Sequence, residues 1–261
     1  MGICNDDATT YLRRLGYNVV RHPREGIAPL DLIGVQGGET RYLGGLGQLL
    51  VAAGKLPEIK RDEVAADVQG KSSSKLSAAI GVSLLKTVTA ALGGNVGVNS
   101  GYHRAKTLQF VFTKVLSDSV KPLEIGDFLR AGEVDVGNLL LEQYVLGNGR
   151  LYVISRVIKT NHFTIQAERG SGTAAELDVP AVKGVASGSL KIDVSAAATG
   201  VVSYDGDKQL VFGFECFEVG VVDGVLSLTS ARSGSVALAT GEAAAVPAAM
   251  LGDGNLVSLS E

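Results

Sequence analysis

Residues 210–222 form the stretch that most constrains how this chain folds, because most of its side chains are apolar. The stretch carries three of the seven Phe and one of the two Cys, and its only charges are Glu215 and Glu218. Apolar side chains occur at odd and even positions alike, which is typical of a strand covered on both faces. Asp205-Gly206-Asp207 before it and Asp223-Gly224 after it predict turns. We therefore expect a central strand with packing on both sides.

Composition narrows the class of protein further. With 261 residues and 46% hydrophobic content, the chain is long enough for one large core or two small ones. A formal net charge of −3 gives no overall basic field, so we expect no nucleic-acid partner. Two cysteines, Cys4 and Cys216, make no disulfide framework, and the polar opening of the chain does not resemble a signal peptide. These features predict a cytoplasmic protein.

The remaining patterns alternate between strands and short helices. Strands are predicted at 17–20, 29–35 and 107–114, a hairpin from 150–158 and 162–167, and a further strand at 225–229. Helices are predicted at 5–15, at 43–54, twice within 123–144, and from Leu76 to Leu92, where apolar residues recur every fourth position after a cap region at 72–74. Lys86 and several hydroxyl side chains interrupt that last segment, which argues against a transmembrane helix. We expect an α+β fold with a twisted, mostly antiparallel central sheet decorated with helices.

A basic segment at 68–117 contains no Asp or Glu. One interpretation is a solvated basic face, and the other is a surface that meets anionic lipid. The candidate membrane-facing cations are Lys71, Lys75, Lys86, Arg104, Lys106 and Lys114.

Residues 189–198 alternate between apolar and polar side chains. A half-buried edge strand shows this pattern, and so does a membrane strand, which needs about 9–11 residues with one face in lipid. On the second interpretation the membrane-inserting face is Leu190, Ile192, Val194, Ala196 and Ala198, joined by Leu108, Phe110 and Phe112 of the strand at 107–114.

The composition changes after residue 232. Residues 233–261 contain no Lys or Arg but many apolar side chains, too many for a solvated tail. We expect a body at 1–232 and a separate tail at 233–261 that docks across it. The predicted docking residues are Met250, Leu251, Leu256, Val257 and Leu259.

No catalytic or metal-binding pattern is apparent in the sequence. Gly70-Lys71-Ser72 resembles the end of a phosphate-binding loop, but Ala65 stands where the first Gly belongs. The three His are scattered, no nucleophile elbow occurs, and Cys216 in an apolar strand beside Glu215 should have a raised pKa and stay inert. We therefore expect neither an enzyme nor a metal or cofactor site.

Several weak motifs, in order and spacing, resemble the gasdermins, and specifically the small bacterial ones. Tyr17-Asn-Val-Val with Pro29-Leu-Asp-Leu-Ile-Gly is similar to the gasdermin opening. Leu151-Tyr-Val-Ile-Ser-Arg-Val resembles a mid-domain strand, and residues 210–219 resemble the last strand of the pore-forming domain. A large C-terminal inhibitory domain is absent from this sequence, and a short tail follows instead.

The resemblance implies a mechanism without catalytic residues. The inactive protein would be a cytoplasmic monomer held by its C-terminal tail until a caspase-like or trypsin-like protease removes the tail. The body would then form a homo-oligomer in the inner membrane lipid, insert strands and kill the cell in antiphage defence. Family members carry a fatty acyl thioester on a Cys near the N-terminus. In this sequence the resemblance implies such a group, expected to be palmitoyl, on Cys4.

The bond to be cut is expected between residues 231 and 248. Arg232 suits a trypsin-like protease, whereas Val236, Leu238 and Val246 suit one that prefers small or apolar residues. The rival interpretation of the whole chain is a soluble β-rich structural or assembly protein, such as a virion or appendage component.

Overall fold

The structure is a computed structural model that describes residues 12, 15–52, 54–66, 68, 72–92, 94, 101–134, 137–170, 172–183, 190–229, 249–251 and 257–260. Its strands are β1 (Asn18–Arg24), β2 (Asp31–Gln36), β3 (Glu39–Gly45), β4 (Leu50–Ala52), β5 (Lys60–Val64), β6 (Ser72–Ser77), β7 (Thr107–Thr113), β8 (Leu116–Ser119), β9 (Glu133–Val134), β10 (Arg150–Glu168), β11 (Lys191–Asp193), β12 (Val201–Val222), β13 (Val225–Thr229) and β14 (Leu259–Ser260). Its helices are α1 (Ala78–Ala91), α2 (Pro122–Ala131) and α3 (Val179–Lys183), with a π-helical turn at Leu141–Val145 and 3₁₀ turns at Leu46–Gln48 and Ala197–Thr199.

Two long antiparallel strands, β10 and β12, form the spine of a 12-stranded sheet. The second edge of β10 pairs in turn with β2, β8 and β7, and the second edge of β12 pairs with β11, β1 and β13. The main path of the sheet therefore runs β1-β12-β10-β2-β3-β14. The α+β prediction is confirmed, as is the central position of the stretch 210–222.

Burial along β12 follows the prediction from its composition. Residues 210–219 are buried or half-buried on both faces, and Phe214 and Cys216 are completely inaccessible to solvent. Val221 and Val222 are exposed, because they lie at the tip of the hairpin to β13. Asp223 and Gly224 make the turn there with φ values of 53° and 79°, which is the geometry of the tight turns that suit twisted hairpins.

The turn predicted at 205–207 is wrong. Strand β12 continues through these residues, and the pairing register instead jumps from Thr160↔Leu210 to His162↔Asp205, which leaves a bulge. The amide Nδ2 of Asn161 donates to the carbonyl of Gly206 at 2.6 Å and so supports the bulged backbone. A Cβ on Gly206 would lie 2.8 Å from Cδ2 of Leu92, so any larger residue here would force the Leu92 side chain at the end of α1 to move.

The hairpin predicted between 158 and 162 is wrong for the same reason. Polar residues at 160–162 suggested a turn, but β10 runs straight through them as one 19-residue strand. Thr160 Oγ1 donates to the carbonyl of Thr113 at 2.6 Å and accepts from the N–H of His162 at 2.9 Å. These side-chain bonds replace the ladder bonds that the irregularity removes.

The helix predicted at 43–54 and the cap region predicted at 72–74 are also wrong. Residues 43–45 complete β3, a single 3₁₀ turn follows, and 50–52 form β4. The N–H of Leu46 donates to the carbonyl of Leu30 at 2.7 Å, so this main chain bonds to a neighbouring segment rather than to its own turn. Residues 72–74 belong to β6, which leads directly into α1.

The predicted helix is confirmed as α1, but it begins at Ala78, so Leu76 of the four-residue repeat lies in β6. Its buried residues Leu85 and Val88, with Leu92 just beyond, pack on the sheet where β7, β10 and β12 meet. Helix α2 begins with Pro122, carries Glu124 in its first turn and Arg130 in its last, and so suits the helix dipole at both ends. Among the described residues, no helix is both long and apolar enough to cross a membrane.

Candidate functional site

Two short segments of the C-terminal tail lie against the body, and we consider their docking groove the candidate functional site. Ala249 and Leu251 in the first segment are 2% and 4% exposed, and Val257 in the second is 5% exposed. All three belong to one apolar cluster with residues of the body, and Leu259 packs against it. We call this group the tail cluster; its body residues are Val20, Ile27, Ile33, Tyr152, Ile154, Val157, Val211, Phe214 and Cys216.

The second tail segment bonds to both ends of the main sheet path. Val257 forms a parallel bridge with Val20 of β1, through N–H to carbonyl bonds of 2.8 Å in each direction with Val19 and Arg21. Two residues later, β14 pairs in parallel with β3, where Leu259 lies opposite Thr40. The tail therefore fills the space between the two edges of the main path and leaves the sheet nearly closed.

The first tail segment is bonded to the body by buried polar groups. The N–H of Ala249 donates to the carbonyl of Cys216 at 2.7 Å, and its carbonyl accepts from Asn18 Nδ2 at 2.9 Å. The N–H of Leu251 donates to Asn18 Oδ1 at 2.7 Å. Three main-chain groups of this segment, the N–H and C=O of Ala249 and the N–H of Leu251, thus have partners inside an apolar cluster, as buried polar groups require.

The thiol of Cys216 lies beneath this segment. Complete burial, with smaller contributions from Glu215 and Glu218, raises the pKa of the thiol far above its ordinary value. A thiol that stays protonated is a poor nucleophile, which agrees with the inert role predicted for Cys216.

The predicted docking residues have different outcomes. Leu251 and Val257 are buried, Met250 and Leu259 are half-buried, and Leu256 lies outside the described residues. The predicted acylation site Cys4 also lies outside them, as do the four residues of the predicted cleavage region, Arg232, Val236, Leu238 and Val246.

Residues 190–198, the described part of the alternating segment 189–198, do not form the long strand that the alternation predicts. Strand β11 has only three residues, because Asp193 Oδ1 accepts the N–H of Ser195 at 2.9 Å and turns the chain away. Leu190 is buried, Ile192 and Val194 pack on the apolar cluster beneath α1, and Ala196 is half-buried. In this structure the alternating segment covers the core, and a membrane strand would have to form by refolding.

The three other predicted membrane residues also lie in the core. Leu108 and Phe110 are 0% and 1% exposed, and half-buried Phe112 stacks on Phe212 with ring centroids 4.3 Å apart. Strand β7 therefore presents no apolar face to solvent in this state.

The predicted basic surface is partly neutralised by acids from elsewhere in the chain. Lys114 lies 3.3 Å from Asp205, and Arg104 lies 4.0 Å from Glu176. Both ion pairs are exposed and so are weak. Lys106 is exposed and Lys86 half-buried, whereas Lys71 and the side chain of Lys75 lie outside the described part.

Sequence patterns did not predict a charge cluster that is built around the largely buried pair Lys159 and Asp118 and includes the exposed Arg61 and Asp62. Lys159 Nζ lies 2.7 Å from Asp118 and 2.9 Å from Asp62, and Arg61 lies 3.6 Å from Asp118. These residues come from β10, β8 and β5, and no local spacing connects them. The cluster joins three neighbouring strands, and its charges already balance one another.

Within the described ranges, no group of three or more His, Cys, Asp or Glu is arranged to hold a metal ion. The polar groups of the tail groove bond to the main chain of the tail itself. The chemistry that this arrangement supports is therefore reversible docking of a peptide segment.

Comparison with known proteins identifies the family. The sequence model of the Bacterial Gasdermin Family matches residues 20–233. A gasdermin of Vitiosangium sp. is 48% identical over 99% of both chains, and one of a Desulfuromonadales bacterium is 34% identical over 90% of this chain and 91% of that one. The solved structure of a bacterial gasdermin from Bradyrhizobium tropiciagri, 22% identical, has the same fold with a TM-score of 0.65 over 98% of this chain and 97% of that one. The chain belongs to the bacterial gasdermin family, whose members form membrane pores.

Proposed function

We propose that this chain is an autoinhibited pore-forming protein that is activated when a protease removes its C-terminal tail. The observation that carries the proposal is the position of the tail between the two edges of the main sheet path. Val257 bonds to β1, Leu259 lies opposite Thr40 in β3, and Ala249 and Leu251 are buried in the tail cluster. A segment in that position stabilises the closed arrangement of strands for as long as it stays bound.

Covalent connectivity supports a cut before the docked segments. In the sequence, residues 230–248 separate the end of β13 from Ala249, which is the first residue of the tail that the structure describes. A cut there turns an intramolecular contact into a bimolecular one, so the released peptide is diluted and dissociates. Within this range a trypsin-like protease would cut after Arg232. A protease that prefers apolar residues would cut at Val236, Leu238 or Val246.

Loss of the tail also changes the charge of the body. Residues 233–261 contain three acids and no base, so their removal from a chain with 24 basic and 27 acidic residues brings the formal charge from −3 to zero. The body is then repelled less by an anionic leaflet. Salt screening limits this effect, so the newly uncovered apolar groove contributes more.

The uncovered edges provide a route to assembly. Without the tail, β1 and β3 each present main-chain N–H and C=O groups that bonded to Val257, Leu259 and Ser260. Unpaired edges of this kind pair readily with another chain. We propose that the released bodies assemble as a homo-oligomer in the inner membrane, and that 189–198 and the strands near α1 refold into membrane-inserted hairpins.

A fatty acyl group on Cys4 is part of the proposal. One acyl chain anchors a protein only marginally, so the basic residues and the oligomer would supply the second signal for membrane binding. The resulting permeabilisation would kill the host cell as a defence against phage.

Inducible expression in bacterial cells tests the proposal. A chain ending at Arg232 should admit a membrane-impermeant dye and stop growth, whereas the full-length chain should do neither at equal abundance. Dye exclusion by cells that contain abundant, membrane-bound truncated protein would refute it.

A further inference from the structure

We infer that Asn18 is the residue that holds the tail in its groove, and that it does so through the main chain of the tail rather than its side chains. The inference concerns docking itself, and its consequence for activation rests on the proposed function. Asn18 lies at the start of β1 opposite Phe214 of β12 and is only 2% exposed. A buried amide must have hydrogen-bond partners, because leaving it without them is costly.

The partners of the Asn18 amide belong to the tail. Nδ2 donates to the carbonyl of Ala249 at 2.9 Å, and Oδ1 accepts from the N–H of Leu251 at 2.7 Å. These two groups flank Met250, so the side-chain amide donates and accepts around one residue as the N–H and C=O of a single residue in a parallel neighbouring strand would. Asn18 therefore binds any extended backbone at this position and does not select its side chains.

The body offers the amide much weaker alternatives. Nδ2 lies 3.5 Å from the carbonyl of Phe214, at the limit of hydrogen-bond distance, and 3.6 Å from Sγ of Cys216, which is a weak acceptor. Departure of the tail leaves Asn18 with these long contacts in place of two short bonds. We therefore infer that the sheet binds the tail most strongly at Asn18, because departure of the tail leaves this buried amide without its two short hydrogen bonds.

The second tail segment lacks this kind of contact. Its bonds at Val257 and Leu259 go to the main chain of edge strands, and the neighbouring Ser258 and Ser260 are exposed. The side chain of Val257 is buried, but within the described residues no buried side-chain amide of the body bonds to this segment. Hydrogen bonds beside exposed residues such as Ser258 and Ser260 exchange with water more readily than bonds inside a buried cluster. We therefore assign the anchor of the tail to 249–251 and the outer, more easily released contact to 257–260.

Hydrogen exchange on the full-length chain tests the inference. Asn18→Leu keeps a side chain of similar size in an apolar surrounding but removes both bonds, and we expect the amides of 249–251 to exchange at least about tenfold faster. Amides in the paired core of β10 and β12 should keep their protection. Asn18→Ala, which also removes both bonds, should show the same effect if Asn18→Leu does not fold.

Asn161→Leu is the matched control. Nδ2 of Asn161 also donates to a main-chain carbonyl, that of Gly206 at 2.6 Å, but this bond lies inside the body. The control should loosen only the bulge near 205–209 and leave the tail amides protected. Equal acceleration of tail and core amides in Asn18→Leu, or unchanged protection at 249–251, would overturn the assignment.

Hydrogen exchange of the tail and dye release from vesicles together distinguish the anchor role of Asn18 from the proposed autoinhibition. A loosened tail together with dye release from anionic vesicles supports both the anchor and the autoinhibition. A loosened tail without any release still supports the anchor role of Asn18 and counts against autoinhibition. A protected tail in Asn18→Leu rejects the anchor and leaves the proposed function standing.

Discussion

The N–H of Val257 donates to the carbonyl of Val19 at 2.8 Å, which joins residues that are near opposite ends of the sequence. The carbonyl of Val257 accepts in turn from the N–H of Arg21 at 2.8 Å. Through this pair of bonds the tail becomes a neighbour of the first strand of the body. Because Leu259 pairs two residues later with the far edge of the sheet path, one short segment stabilises both edges together.

Charges on the apolar side of the tail should activate the protein without cleavage. Leu259 packs on the tail cluster, and Leu256 is predicted from the sequence to dock with it. Replacing both with Glu would place charges against apolar side chains, so we expect partial dye release from vesicles by the uncut chain. Ser258→Glu is the control, because Ser258 is exposed. Equal release by control and double variant would contradict side-chain docking at these residues.

Phe214→Asp should destabilise the body strongly. Phe214 is completely buried in the tail cluster at the centre of β12, and an unpaired carboxylate there should cost ~3 kcal/mol or more in the free energy of unfolding. Denaturant unfolding of the full-length chain measures the difference. Val221→Asp on the same strand should change stability little, since Val221 is 46% exposed. Similar losses in the two variants would mean that 210–222 is not a buried central strand.

Ile192→Lys in the chain ending at Arg232 should abolish leakage. A Lys at the middle of a lipid-facing strand costs about 2–4 kcal/mol. The full-length variant should stay folded, because Ile192 is only half-buried at the rim of its cluster. Asp193→Lys adds a positive charge on the opposite side of the alternation and should leave leakage intact. Undiminished leakage from Ile192→Lys would remove 189–198 from the proposed membrane strands.

Cys4→Ala should weaken membrane activity. If Cys4 carries an acyl chain, the intact mass of protein from its native host will exceed the sequence mass by one fatty acyl group. The variant should then lack that addition and should need more protein for the same leakage, because one anchor is missing. An unmodified mass together with full activity of Cys4→Ala would end the acylation proposal.

Local sequence patterns predicted the helix α1, whose repeat lies within one segment, and the strand β12, which is buried on both faces. The four-residue repeat gave α1, and the continuous apolar run gave β12, because each pattern states directly which faces are buried. The patterns failed at 160–162 and 205–207, where polar residues and glycine usually mean a turn. There Asn161 and Thr160 bond across the sheet and keep both strands continuous through a bulge, which depends on a partner strand that no local window contains.

In the docking groove, too, the sequence predicted some of the residues in contact and not others. Apolar residues in the tail predicted that Leu251 and Val257 would be buried, and they are. The partner of the tail, Asn18, could not be predicted, because an Asn in an otherwise ordinary strand carries no sign that its amide will bond to residues 249 and 251. Contacts of that kind depend on the complete fold and on no spacing in the sequence.

Dye release from anionic vesicles, with purified full-length chain and purified chain ending at Arg232 side by side, measures whether the docked tail inhibits the body. We predict rapid release by the truncated chain and none by the full-length chain at the same protein-to-lipid ratio. Release by the full-length chain equal to that of the truncated one, or inertness of both on every lipid mixture, would contradict the proposal that the docked tail holds a pore-forming body inactive.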